Sequence, residues 1–177
     1  MADRTIFDRL KQDHDAHRQL FAKMADAKDD SDRLKKLFDQ FKVEVSAHAA
    51  AEEETLYATM LARPDLREDA QHSVSEHKEI DDYLEELDDL KFDGEAWRKK
   101  FAKMKERYLH HIEEEEEEMF PEAEEGLSEA KKKELLAIFE KEKPKEKAKA
   151  AADEEKSLAA TFAKRKPAEL ARAEADS

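Results

Sequence analysis

Residues 31–60, SDRLKKLFDQFKVEVSAHAAAEEETLYATM, and residues 94–123, GEAWRKKFAKMKERYLHHIEEEEEEMFPEA, decide the fold. In the first stretch Leu34, Phe38, Phe41, Val45, His48, Glu52 and Leu56 follow at spacings of three and four, one face of a helix. In the second, Trp97, Phe101, Met104, Tyr108, His111, Glu115 and Met119 repeat that pattern at one constant offset, Leu34 answering to Trp97 and Leu56 to Met119. Each stripe reads as core-facing, yet each carries a histidine and a glutamate where an apolar side chain belongs.

The offset reaches further. It carries Tyr57 to Phe120, His14 to His77, Phe21 to Leu84 and Met24 to Leu87, so a second pair of helices repeats the first. Breakers set the boundaries. The predicted helices run from about Arg4 to Ala27, Asp32 to Leu61 (before Pro64), Asp65 to Leu90, and Glu95 to Met119 (ending at Pro121). Ser128 caps a shorter fifth helix to about Lys141. Four long helices joined by short turns predict an all-α fold, an antiparallel up-down-up-down four-helix bundle with a short fifth helix and a C-terminal tail. The bundle domain is expected over 1–143, with a net charge of −15. Residues 144–177, Lys/Ala/Glu-rich and at +1, are read as a flexible tail, with a docking helix around Leu158 and Phe162 as the alternative.

Composition narrows the function. Two glycines, four prolines and three valines do not supply a β-sandwich or a parallel sheet, and no glycine-rich phosphate loop is present. Without cysteine there are no disulfides, thiolate metal sites or thiol chemistry. A net charge of −14 disfavours nucleic acid and anionic lipid, and neither a signal peptide nor a membrane span is visible. The expectation is a soluble, cytoplasmic helical protein. Leu, Ile, Val and Phe together make up less than a fifth of the chain. That is the level below which a highly charged sequence is suspected of disorder.

The anomalous stripe residues suggest the resolution. Measured from the turns, His14, His48, Glu52, His77, His111 and Glu115 fall at similar heights on four helices. A histidine and a glutamate four residues apart share one helix face and reach one point inside the bundle. Two buried carboxylates facing each other are costly unless cations sit between them. Four imidazoles and two carboxylates suit iron, with manganese or zinc as alternatives. The ferritin-like arrangement, built on Glu-x-x-His, is excluded by the spacing.

The runs KQDH at 11–14, HAAAEEETLY at 48–57, SEHKEID at 75–81 and HHIEEEEEEMFP at 110–121 resemble the hemerythrin-like, or HHE cation-binding, family. The resemblance covers roughly residues 4–141. It implies a non-haem di-iron centre with Glu52 and Glu115 as bridging carboxylates and His14, His48, His77 and His111 as terminal ligands. The small-molecule partner it implies is dioxygen, peroxide or nitric oxide. The sequence departs from the oxygen carriers of that family at Ser73, where they have a helix-3 histidine, and in the four-residue His111–Glu115 spacing, where they have five. Those departures favour reactive chemistry or sensing over oxygen carriage. A non-catalytic iron-binding, storage or sensing module is the alternative.

The remaining polar residues take lesser roles. His17 corresponds to Ile80 and is read as a core or outer residue, the alternative to His14. His110 is read as peripheral, with a fifth ligand as the alternative, His72 as a surface or outer residue, Asp81 as solvated or an outer hydrogen-bond partner, and Tyr57 and Tyr108 as core aromatics whose phenols could also ligate iron, hydrogen-bond or gate access. Tyr57 is also a candidate neighbour of iron. Within Glu113–Glu118 only Glu115 lies on the core stripe, and the others are read as a solvated face.

Overall fold

The computed structural model describes the backbone of residues 4–175 and the side chains of residues 4–160. The described residues are helical throughout, with short turns and no strand. The helices are α1 (Ile6–Asp26), α2 (Ser31–Glu52), α3 (Ala58–Leu61), α4 (Arg67–Asp89), α5 (Glu95–Glu114), α6 (Phe120–Gly126) and α7 (Glu129–Ala175). No helix among the described residues is long and apolar enough to cross a membrane.

Local chemistry explains the starts. Thr5 and Asp8 form a capping box on α1, with the Thr5 N–H donating to Asp8 at 2.8 Å. Asp30 accepts the Arg33 N–H at 3.0 Å to cap α2, and the Ser128 hydroxyl accepts the Lys131 N–H at 3.2 Å before α7. Each such cap stabilises its helix by about 1 kcal/mol. Between α4 and α5, Asp93 takes the left-handed conformation at φ 61°. Gly94 follows it because a Cβ there would lie 3.0 Å from the Lys91 carbonyl oxygen.

Two wider turns interrupt the long helices. Residues Glu53–Tyr57 and Glu115–Met119 form π-helical turns joining α2 to α3 and α5 to α6. The sequence shows why. Glu52 and Tyr57, like Glu115 and Phe120, stand five apart, and all four are buried. A turn closed by i→i+5 bonds brings residues at that spacing to the same side.

Two helix ends differ from the sequence expectation. The fourth long helix does not stop at Met119 but continues to Gly126, the π turn at Glu115–Met119 carrying the chain on into α6 with Pro121 near the start of that segment. The fifth helix does not stop at Lys141 but runs through Pro144 to Ala175. Pro144 lies on the exposed side, and ion pairs anchor the segment around it. Lys143 reaches Asp13 at 2.6 Å, Lys147 reaches Glu44, and Lys42 of α2 reaches Glu154 at 2.6 Å. Leu158 is 36% exposed, and the Phe162 side chain lies outside the described residues.

The core has two apolar ends. One contains Ile6, Phe7, Leu10, Leu56, Met60 and Phe120, with Leu135 and Phe139 of α7 packed over it. The other contains Phe21, Phe38, Phe41, Trp97, Met104 and Leu87. Along α1 the first ends at Leu10 and the second begins at Leu20, and between them lies a buried polar layer that includes Asp13, His14 and His17. Few large aliphatics suffice because the middle of the core is built from polar side chains.

Candidate metal centre

All six residues singled out by the stripes meet in that layer, each buried to 6% exposure or less. They form two groups, His14–His48–Glu52 and His77–His111–Glu115, within each of which the candidate ligand atoms lie within 4.8 Å of one another. The His14 and His48 Nε2 atoms are 3.2 Å apart. Glu52 Oε2 lies 3.4 Å from His48 Nε2 and 3.6 Å from His77 Nε2, so this carboxylate touches both groups. Glu115 does the same, with Oε2 3.3 Å from His14 Nε2 and Oε1 3.3 Å from His111 Nε2. The histidines divide evenly, two to each group.

A second set of carboxylates, absent from the sequence reading, aims these rings. The Nδ1 atoms of His48, His111, His77 and His14 lie 2.9, 2.7, 2.7 and 2.8 Å from Asp13, Glu76, Glu53 and Glu116 respectively. A carboxylate on Nδ1 holds the proton there and leaves the Nε2 lone pair facing the centre. The signal lay in the repeat itself. The offset that carries His14 to His77 also carries Asp13 to Glu76 and Glu53 to Glu116. Glu116 therefore departs from the solvated face expected for the glutamate run, because the partly buried His14 bond and Arg18 at 3.0 Å draw it inward. Replacing Glu53 or Glu116 with glutamine is expected to lower metal affinity about 10- to 100-fold while the chain stays folded. Competition with a graded set of chelators measures the change.

The electrostatics of the centre are strained without a cation. All four oxygens of Glu52 and Glu115 are buried with no hydrogen-bond partner among the described residues. Burial, then the charge of Glu52, pushes the Glu115 carboxyl well above its ordinary range. Burial works against charge on His48, but Glu52 and Asp13 outweigh it and raise that ring to about 9. Burial carries His111 down to about 4 despite its bond to Glu76. Cations between the two glutamates would satisfy the orphaned oxygens and use the Nε2 lone pairs at once, so the residues fit a metal pair.

The neighbours divide clearly. His17 is buried beside His48, and its Nδ1 lies 2.6 Å from the Tyr108 hydroxyl. The Tyr57 ring packs 5.4 Å from that of His77, and its hydroxyl is buried without a partner. His72 and His110 have side chains 58% exposed and stand outside the layer. Asp81 does not hold His77, since Glu53 takes that position.

No curated protein sequence matches the chain. A crystal structure of a hemerythrin HHE cation-binding domain-containing protein from Mycobacterium kansasii matches with a TM-score of 0.72 at 21% identity, over 83% of this chain and 90% of that one. At that identity the likeness speaks for the fold. The profile of the hemerythrin HHE cation-binding domain matches residues 5–123, which run from α1 into α6 and include all six buried candidate ligands. The chain belongs to the hemerythrin HHE cation-binding domain family.

Proposed function

We propose that the chain holds two iron ions in an antiparallel up-down-up-down bundle and uses them to bind or react with dioxygen, peroxide or nitric oxide. The observation that carries this reading is the pair of buried carboxylates, Glu52 and Glu115, whose oxygens have no hydrogen-bond partner and face four imidazole nitrogens. His14, His48 and Glu52 would hold one ion and His77, His111 and Glu115 the other, and a bound ion would supply the site at which an external small molecule is taken. An iron pair supplies electron-transfer chemistry toward such a molecule.

The chain's own residues select and hold what enters. A crevice of about 10 Å³ reaches the centre beside His48, His77, Ile80 and Tyr108, room for a molecule the size of water. Burial, then the charge of Glu52, holds the Tyr108 phenol protonated. Burial and the charge of His48 hold His17 neutral, and its Nδ1 shares a hydrogen bond of 2.6 Å with the Tyr108 hydroxyl. This pair places a proton in the wall of the crevice. Tyr57, with its unpaired buried hydroxyl, is the candidate for contact with the metal or its ligand.

The test is substitution at one group. His48→Ala and Glu52→Ala are each expected to abolish the visible charge-transfer absorption and the consumption of peroxide or nitric oxide. Full iron content in both variants would overturn the reading. One link favours the binding or sensing alternative. Lys143 of α7 lies 2.6 Å from Asp13, which holds His48, so occupancy of the centre has a path to the long helix. Wild-type protein that keeps its iron but consumes neither peroxide nor nitric oxide would select that alternative.

A further inference from the structure

The two halves related by the internal repeat are closed in different ways. On the first half, the ring of Phe139 of α7 lies 6.2 Å from that of His48, with the Arg9 guanidinium over it at 5.2 Å. Ile6, Leu10 and Ala51 share the same apolar cluster with Phe139, so this side is sealed. On the second half a cleft of about 90 Å³ opens instead, between α4 and the rod formed by α5 and α6.

The sequence changes character with the opening. Ile6 and Arg9 of the sealed side correspond to Asp69 and His72 of the cleft, and Ala51, Thr55 and Thr59 correspond to Glu114, Glu118 and Glu122. At each position an apolar, neutral or basic residue is exchanged for an acid or a histidine. Asp69 and Glu122 face each other at the mouth, and the hydrogen bond and charge of Asp69 push Glu122 up. Beside them the exposed His72 reaches inward, its Nε2 3.5 Å from the buried Glu76 Oε1 and 3.7 Å from Glu114 Oε1, a third cluster with metal-ligand spacing. The floor of the cleft includes Glu115, which is 1% exposed and whose carboxylate oxygens have no hydrogen-bond partner among the described residues.

We propose that this cleft is the route by which a divalent metal ion reaches the buried centre, with His72, Glu76 and Glu114 as an intermediate cation site. The inference rests on the reading of Glu52 and Glu115 as metal ligands. An acidic mouth with low-dielectric walls concentrates cations, and the next carboxylate inward belongs to the centre. The intermediate site is built to hold metal weakly. An Arg107 nitrogen lies 2.7 Å from Glu76 Oε1 and competes for it, while the other Glu76 oxygen is engaged by His111. His110, with Nε2 3.4 Å from Glu114 Oε2, occupies that oxygen as well. A cation stopping there is not trapped on its way to Glu115.

The experiment uses full-length metal-free protein and ferrous ion without oxygen, with uptake followed by quenching into a chromogenic ferrous chelator. The triple variant Glu114→Gln, Glu118→Gln, Glu122→Gln is expected to slow uptake by about tenfold or more and to reach the same final iron content as wild type. His72→Ala is expected to slow it in the same direction. A control of equal charge change on α7, Glu129→Gln, Glu134→Gln, Glu155→Gln, is expected to load at the wild-type rate. Equal rates in the cleft triple and the control would overturn the route. So would a cleft triple that loads at the wild-type rate but ends with less iron, which would mark these residues as supports of the centre. Wild-type protein that takes up no iron at all would overturn the centre itself, and the route with it.

Discussion

Stripping the metal from the chain is expected to lower its melting temperature by roughly 10 °C or more, and the metal-free chain is expected to melt lower at pH 9 than at pH 7. A ligand present at about a thousand times its dissociation constant stabilises the folded state by about 4 kcal/mol. In a domain of this size each kcal/mol shifts the midpoint by about 2–4 °C. The pH dependence follows from the two groups that the missing metal leaves raised. His48 stands at about 9 in the folded chain against an ordinary 6.5. Its contribution is therefore complete below 6.5 and is lost as pH rises through 9. Glu115, also raised, keeps in the folded chain a proton that the unfolded chain has released, so it acts in the same direction. His14, His17 and His111 are lowered and act on the other side, costing stability as pH falls below 6.5. With metal bound, the Nε2 lone pairs and carboxylates are held deprotonated, and the alkaline loss disappears. Calorimetry of chelator-treated and reconstituted protein at both pH values measures this. A metal-free midpoint equal to the loaded one would refute it.

Glu115→Met is expected to raise the stability of the metal-free chain while lowering that of the metal-loaded preparation. The glutamate is 1% exposed, its oxygens have no hydrogen-bond partner, and its neighbour Glu52 is also acidic. Methionine fills similar volume and needs no partner. Removing such an unsatisfied group is worth about 1–3 kcal/mol, or about 2–12 °C in a domain of this size. The same change removes a donor shared by both groups of histidines. Opposite shifts in the two preparations, read in parallel melts with and without ferrous ion, separate a functional carboxylate from a structural one. A drop in both would show that Glu115 contributes to folding through contacts of its own.

The stripes were readable because apolar spacing of three and four, interrupted by a histidine and a glutamate at matching places in two separate stretches, has few structural explanations. The first three long helices and the six buried ligand candidates followed from it. The π turns were not seen, although the five-residue steps from Glu52 to Tyr57 and from Glu115 to Phe120 carry them, because a helical template of period 3.6 places Leu56 and Met119 inward and stops there. The outer carboxylates escaped for a related reason. Asp13, Glu53, Glu76 and Glu116 lie beside the stripe residues in sequence, in a chain with 47 acidic side chains. Only their placement opposite an imidazole Nδ1 distinguishes them from solvated acids. The extension of α7 beyond Lys141 was not legible because its anchoring there is ionic, through Lys42, Lys143 and Lys147, while the buried apolar residues of the helix, Leu135 and Phe139, lie before that point.

The outer carboxylates also cross between halves. Glu53, from the first half, holds His77 of the second, and Glu116, from the second, holds His14 of the first. Glu52 and Glu115 reach across in the same manner. Neither half therefore contains the whole candidate centre, but each carries one full copy of the parts. In assembly terms the site has the chemistry of a two-fold homodimer whose subunits have been joined end to end. A true dimer must present the same face twice. The covalent join lifts that constraint, so one copy of the face can be sealed by α7 while the other stays open and acidic.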